Sequence, residues 1–124
     1  MELIHAELSE RILGCGIQVH KALGPGFLEK IYEEALCLEL TKAGLRFERQ
    51  KIVVVAYDEQ PIGEHRLDLL VEDTVVLELK ACRAIDDAHL ATTRSYLKAT
   101  SLQLGLVINF SKPVLDIKRV VLTQ

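Results

Sequence analysis

The sequence has no tryptophan and only three tyrosines and three phenylalanines among its 124 residues. A core must therefore be assembled from Leu, Val, Ile and Ala. Cysteine is scarce and odd in number: Cys15, Cys37 and Cys82 are widely spaced and form no CxxC pair. This argues against a disulfide framework or a zinc knuckle and fits buried thiols in a reducing, cytoplasmic setting. No apolar run approaches the roughly 20 residues that span a bilayer, so no membrane partner is expected. The opening stretch, "MELIHAELSER", carries acids early and lacks a basic segment followed by an apolar one, so it does not read as a secretory signal. Positive charge is not in excess either: the net charge is −3 and the pI about 5.8. Proteins that coat nucleic acid are usually basic. Strong non-specific binding is therefore not expected, although a local basic strip remains open.

What is present is a globular composition, 49% hydrophobic and 27% charged, which fits one domain over residues 1–124 with one core. From Leu3 to Leu23 the apolar positions Ile4, Leu8, Ile12, Cys15, Val19 and Leu23 recur at steps of three and four, a helical period. Gly14 and Gly16 weaken this helix by about 1 kcal/mol each relative to Ala and suggest close approach of another element. Gly24-Pro25-Gly26 ends it. A second helix fits Phe27 to Ala43, with Leu28, Ile31, Ala35, Leu38 and Lys42 on one stripe and Gly44 as its stop. The period then changes. "KIVVVAYD" is a strand, "EQPIG" a turn, and "EHRLDLLV" and "VVLELKA" are two strands around "EDT". Asp86 to Thr100 is helical, "LQLGLVINF" a buried strand and "DIKRVVL" an edge strand. The expected order is α-α-β-β-β-α-β-β, with short loops.

The hairpin from Arg66 to Lys80 can be resolved by parity. With Glu72-Asp73-Thr74 as the loop and Val71 opposite Val75, one face carries Leu67, Leu69, Val71, Val75, Leu77 and Leu79. The other carries Arg66, Asp68, Leu70, Val76, Glu78 and Lys80, with Asp68 opposite Glu78 and Arg66 opposite Lys80. A two-residue loop would mix both faces. The three-residue loop wants a left-handed residue, which Asp73 can supply. Two unit charges about 5 Å apart repel by roughly 3 kcal/mol at an effective dielectric of about 20, before screening. Lys80 and Arg66 offset part of this, and a hard divalent cation offsets more. At this level two readings stand: the solvated side of a half-exposed sheet, or a partly covered site, since Leu70 and Val76 share the charged face.

Asp68, then Glu78-Leu79-Lys80 on the next strand, between helices, resembles the PD-(D/E)XK nuclease superfamily. More closely, the chain resembles the small GxxExxY family assigned to it. Gly26-Phe27-Leu28-Glu29-Lys30-Ile31-Tyr32 matches the name motif. "VHKALGPG", "RLDLLVED", "LELKA", "YLKAT" and "LGLVINF" stand around it in order. The resemblance covers nearly the whole chain. It implies an α/β, mixed-sheet, restriction-endonuclease-like core. It implies that Asp68, Glu78 and the Leu79 carbonyl hold Mg²⁺ or Mn²⁺. Lys80 would act on the attacking water and on the phosphorus centre, and Glu29 would complete the acidic set. Tyr96, Thr92, His89 and Arg66 are the candidates for contacting substrate. Thr92 stands where relatives often carry Gln, and Leu67 where many carry Pro.

The remaining residues are weighed individually. His20 is expected to serve the end of the first helix. Tyr32 is expected in the core with its hydroxyl bonded. His5 and His65 read as surface residues. Lys98, Lys112, Lys118 and Arg119 form either a basic strip with Arg94 or scattered charges. The function expected is metal-dependent hydrolysis of phosphodiester bonds in DNA or RNA. The alternative is a non-catalytic interaction or regulatory module that retains the fold. The chain is short for a site plus a wrapping surface, so a homodimer or recruitment by a protein partner is expected.

Overall fold

The computed structural model describes residues 4–123. Eight elements follow in the expected order: α1 (Ala6–Leu23), α2 (Glu29–Lys42), β1 (Phe47–Tyr57), β2 (Gln60–Val71), β3 (Val75–Lys80), α3 (Asp87–Thr100), β4 (Leu104–Asn109) and β5 (Asp116–Val121). Leu3, the expected start of the first helix, lies outside the described residues. The strands form one mixed sheet in the order β1-β2-β3-β4-β5. Only β3 and β4 run parallel, joined by α3 as a crossover helix.

Each face of the sheet has its own core. One gathers Ile12, Cys15 and Val19 of α1, Tyr32, Leu36 and Leu40 of α2, and Leu69, Leu77, Leu79, Leu106 and Ile108 of the sheet. The other gathers Leu97 of α3 with Leu67, Leu70, Val76, Val107 and Val120. All of β4 is buried, as expected of a central parallel strand covered on both faces. β5 is an edge strand, as expected, and β1 is the other edge.

Three local expectations are corrected. The buried stripe of α2 is Tyr32, Glu33, Leu36, Cys37 and Leu40, while Leu28, Ile31 and Leu38 are exposed. Both stripes satisfy a 3.6-residue period, and the stacking of Tyr32 on Phe110 decides between them (centroids 4.6 Å apart, planes 8° apart). The "EQPIG" segment is mostly strand. The turn is Asp58-Glu59, both left-handed at φ 51° and 63°, which matches the twist of a tight hairpin. Pro61 pairs with Ala56 at a shift in register. Finally, Gly14 and Gly16 are not close-contact positions. A Cβ on Gly14 would meet nothing within 4 Å, and one on Gly16 only Leu115 at 3.6 Å.

Gly44 stops α2 at φ 75°, as expected. The glycine that truly needs its missing side chain is Gly105 in β4. A Cβ there would lie 2.7 Å from Thr93 Cγ2 of α3. Gly105→Ala is therefore expected to lower stability by about 1–3 kcal/mol, the usual cost of overpacking, read as a lower urea midpoint at unchanged slope. An unchanged midpoint would mean that α3 does not sit this close to the sheet.

Candidate metal-binding cleft at the fork between two strands

The expected hairpin register holds: Val71 pairs with Val75, Leu70 with Val76 and Leu69 with Leu77. The loop uses two left-handed residues, Glu72 and Asp73. The ladder then stops. β2 stays with β1 and β3 stays with β4, so the two strands fork. Asp68 and Glu78 sit in the crotch of this fork. The Asp68 N–H donates to Glu78 Oε2 at 3.0 Å, and the Leu79 N–H donates to Asp68 Oδ2 at 2.8 Å. Each carboxylate thus satisfies a backbone donor of the opposite strand where the ladder no longer does. The expected meeting of Asp68 and Glu78 is realised, although by these exchanged bonds. The expected pairing of Arg66 with Lys80 is not: Arg66 pairs with Ile52 of β1 and is exposed.

The expected apolar face needs one correction. Leu69, Val71, Val75, Leu77 and Leu79 pack under α1 and α2, but Leu67 packs with Leu70 on the α3 side. β2 switches faces between Leu67 and Leu69, at Asp68. Asp68 therefore opens into a cleft of about 650 Å³ on the α2 side, with Glu29, Glu33, Arg49, Gln50 and Leu79 in its walls.

Burial dominates the electrostatics. Glu78 is only 5% exposed. Burial first, then the Asp68 charge, pushes its carboxyl up to about 8, against the pull of the Asp68 N–H and Lys80. Burial also raises Asp68, opposed by its Leu79 hydrogen bond and by Lys80. Lys80 is half-buried and makes no ion pair among the described residues. Its backbone and that of Cys82 are held by residues at the end of β4. The Phe110 N–H donates to the Lys80 carbonyl at 3.0 Å. Buried Asn109 bonds both the N–H and the carbonyl of Cys82 through its side chain.

Glu29 opens α2 at the cleft and raises the carboxyls of both Asp68 and Glu78 by its charge. Glu33, one turn further along, escaped the sequence reading, although its i, i+4 spacing from Glu29 marks the same helix face. Its Oε2 accepts from Arg49 at 2.9 Å and its Oε1 from Gln50 at 2.8 Å. Arg49 also reaches Glu34 at 2.7 Å, so Glu33 is already committed. Among the described residues no three His, Cys, Asp or Glu side chains converge on one metal position. The hard donors at the fork are the two carboxylates. Asp68 Oδ1 and Glu78 Oε1 have no hydrogen-bond partner among the described residues, whereas their sister oxygens do. Two close, desolvated carboxylates with free oxygens fit a hard divalent cation that keeps several waters.

On the α3 side, Tyr96 is half-buried and its hydroxyl is pushed up by burial and then by the charges of Glu78 and Asp68. Its ring meets His65 edge-on at 4.6 Å, so His65 is not a free surface residue. Thr92 is exposed one turn before Tyr96. The His89 ring accepts from the Asp86 N–H at 3.1 Å, as part of the cap of α3. Tyr96 is thus an expected substrate residue whose hydroxyl feels the charge of both carboxylates.

The other expectations resolve simply. The Tyr32 hydroxyl donates to Gly24 O at 2.6 Å and accepts from the Phe27 N–H at 3.1 Å, tying down the loop before α2. His20 bonds the Lys112 carbonyl, a structural role. Arg119 turns to α1, donating to Ser9 Oγ and the Ile4 carbonyl, and Lys112 lies near Asp116. Burial raises the Cys15 thiol and pushes that of Cys37 up to about 11, as befits inert core thiols.

A family model described as the PD-(D/E)XK nuclease superfamily matches residues 6–120. The chain belongs to the PD-(D/E)XK nuclease superfamily. No curated protein and no solved structure matches it. Asp68 and Glu78-Leu79-Lys80 at the fork lie inside the matched residues. No helix of the described chain is long and apolar enough to cross a membrane.

The raised Glu78 carboxyl has a consequence for stability. Its folded-state value near 8 lies above the ordinary 4.5, so between these pH values the folded protein holds a proton that the unfolded chain has released. Its contribution is fully present below about pH 4.5 and is lost as pH rises through about 8. Without divalent cation, Glu78→Gln is expected to raise stability at pH 8–9 by on the order of 3 kcal/mol, and by much less near pH 5. Urea titrations at the two pH values check this; equal effects at both would contradict it.

Proposed function

We propose that this protein is a metal-dependent nuclease hydrolysing phosphodiester bonds in DNA or RNA with Mg²⁺ or Mn²⁺. The observation that carries the reading is the exchange of backbone bonds between Asp68 and Glu78, which leaves one free oxygen on each. Asp68, Glu78 and the Leu79 carbonyl would hold the cation. When bound, it supplies charge neutralisation at the phosphate and a more acidic water.

The chain's own residues do the rest. The Lys80 ammonium, on the strand that carries Glu78, holds the attacking water and meets the negative charge that grows on the phosphorus oxygens. Burial of the carboxylates strengthens every such interaction. Glu29, in the wall of the same cleft, adds a negative charge that draws a cation towards the two carboxylates. Tyr96, with Thr92 and His89, contacts the strand being cut from the α3 side, and exposed Arg66 contacts it from β2. A cytoplasmic setting belongs to the same proposal, supported by three free thiols. A homodimer belongs to it as well, supported by exposed Ile52, Val54 and Ile62 on the β1–β2 hairpin. Light scattering that returns only a monomer removes the dimer.

A second reading, a non-catalytic module on the same fold, is favoured by Thr92 and by the use of the His89 ring in a helix cap. Incubation with single- and double-stranded DNA and RNA in Mg²⁺ or Mn²⁺ separates the two. Cleavage is expected that Asp68→Ala abolishes and Lys80→Ala slows by roughly 100-fold or more. A folded wild-type protein that cuts none of these with either metal would leave the second reading standing.

A further inference from the structure

We infer that Gln50 is a positioning residue that aims Asp68 into the cleft. The inference rests on the proposed role of Asp68 in holding a cation. β1 and β2 pair on both sides of this point, Arg49 with Leu69 and Lys51 with Leu67, in one unbroken register. Yet both strands change faces across it. Phe47 and Leu69 pack against the α1–α2 core, whereas Val53 and Leu67 pack against the α3 core. Gln50, the residue across from Asp68, is left-handed at φ 50° inside a strand, a conformation that a non-glycine residue adopts only when something holds it there.

What holds it is Glu33. Adjacent residues of a regular strand point to opposite faces. Here Arg49 and Gln50 are adjacent, and both reach the Glu33 carboxylate, one on each oxygen. A left-handed Gln50 makes that possible. In an unswitched β2, Asp68 would share the face of Leu70 and point towards α3. With the switch it lines the cleft beside Glu29 and Glu33, and its Oδ2 meets the Leu79 N–H. Glu33 thus acts on the site through Gln50, whose amide is committed to the Glu33 carboxylate.

Three variants separate this from a general loss of packing. Gln50→Val disfavours the left-handed backbone. Gln50→Gly permits it but loses the tie to Glu33, and Gln50→Asn permits it with a shorter amide. The first readout is the Leu79 amide proton, whose downfield shift and slow exchange report its bond to Asp68. The second is Mn²⁺ affinity. In Gln50→Val the Leu79 signature is expected to disappear and Mn²⁺ affinity to fall by about 10- to 100-fold. Gln50→Asn is expected to restore both, with Gln50→Gly between the two. A Val variant that keeps the Leu79 signature would overturn the inference, as would Asn and Gly variants that lose it as fully as Val. If the wild type binds no Mn²⁺, the nuclease reading fails, and the Leu79 amide still decides whether Gln50 positions Asp68.

Discussion

Two carboxylates that exchange backbone hydrogen bonds across a fork hold the functional end of this protein together. Asp68 accepts from β3 and Glu78 accepts from β2, so the strands can part without leaving buried N–H groups unsatisfied. Burial raises both carboxyls against the pull of these same bonds. Two acids are thus crowded together at one point. A proton on Glu78 relieves the repulsion up to about pH 8, Lys80 relieves it in part, and a divalent cation would relieve it with both acids ionised.

Much of the remaining architecture serves to hold that fork open from both sides. Tyr32 bonds Gly24 and Phe27 and so sets where α2 begins, hence where Glu29 and Glu33 stand. Its ring stacks on Phe110, whose N–H holds the carbonyl of Lys80. Gly24, Phe27 and Tyr32 are therefore linked through one aromatic contact to the strand that carries Lys80. On the opposite face, α3 is spliced between β3 and β4 and brings Tyr96 towards the same carboxylates.

The sequence carried much of this in its periods. The change from 3.6 to 2, the parity of a three-residue loop and the spacing of Asp68 from Glu78 were enough for element order, hairpin register and the meeting of the two acids. What escaped were features that parity itself hides. An unbroken pattern cannot reveal that β1 and β2 switch faces at Gln50 and Asp68, because the switch needs a left-handed residue that is not glycine. Two stripes of α2 were equally apolar, and a ring stack 78 residues away in sequence, at Phe110, chose between them. Glu33 was visible only as the i, i+4 partner of Glu29, and Asn109 only as a polar residue at the end of an apolar strand. Pro61 and Gly63 suggested a turn, but the hairpin closes earlier, at Asp58-Glu59.

The central claim is that Asp68 and Glu78 together hold one divalent cation at the fork. Crystals grown with Mn²⁺ and measured at the manganese edge test it most directly. The predicted result is one anomalous peak in the fork, about 2.1 Å from an oxygen of each carboxylate. A folded molecule with no peak there, or with a peak that touches neither Asp68 nor Glu78, would contradict it.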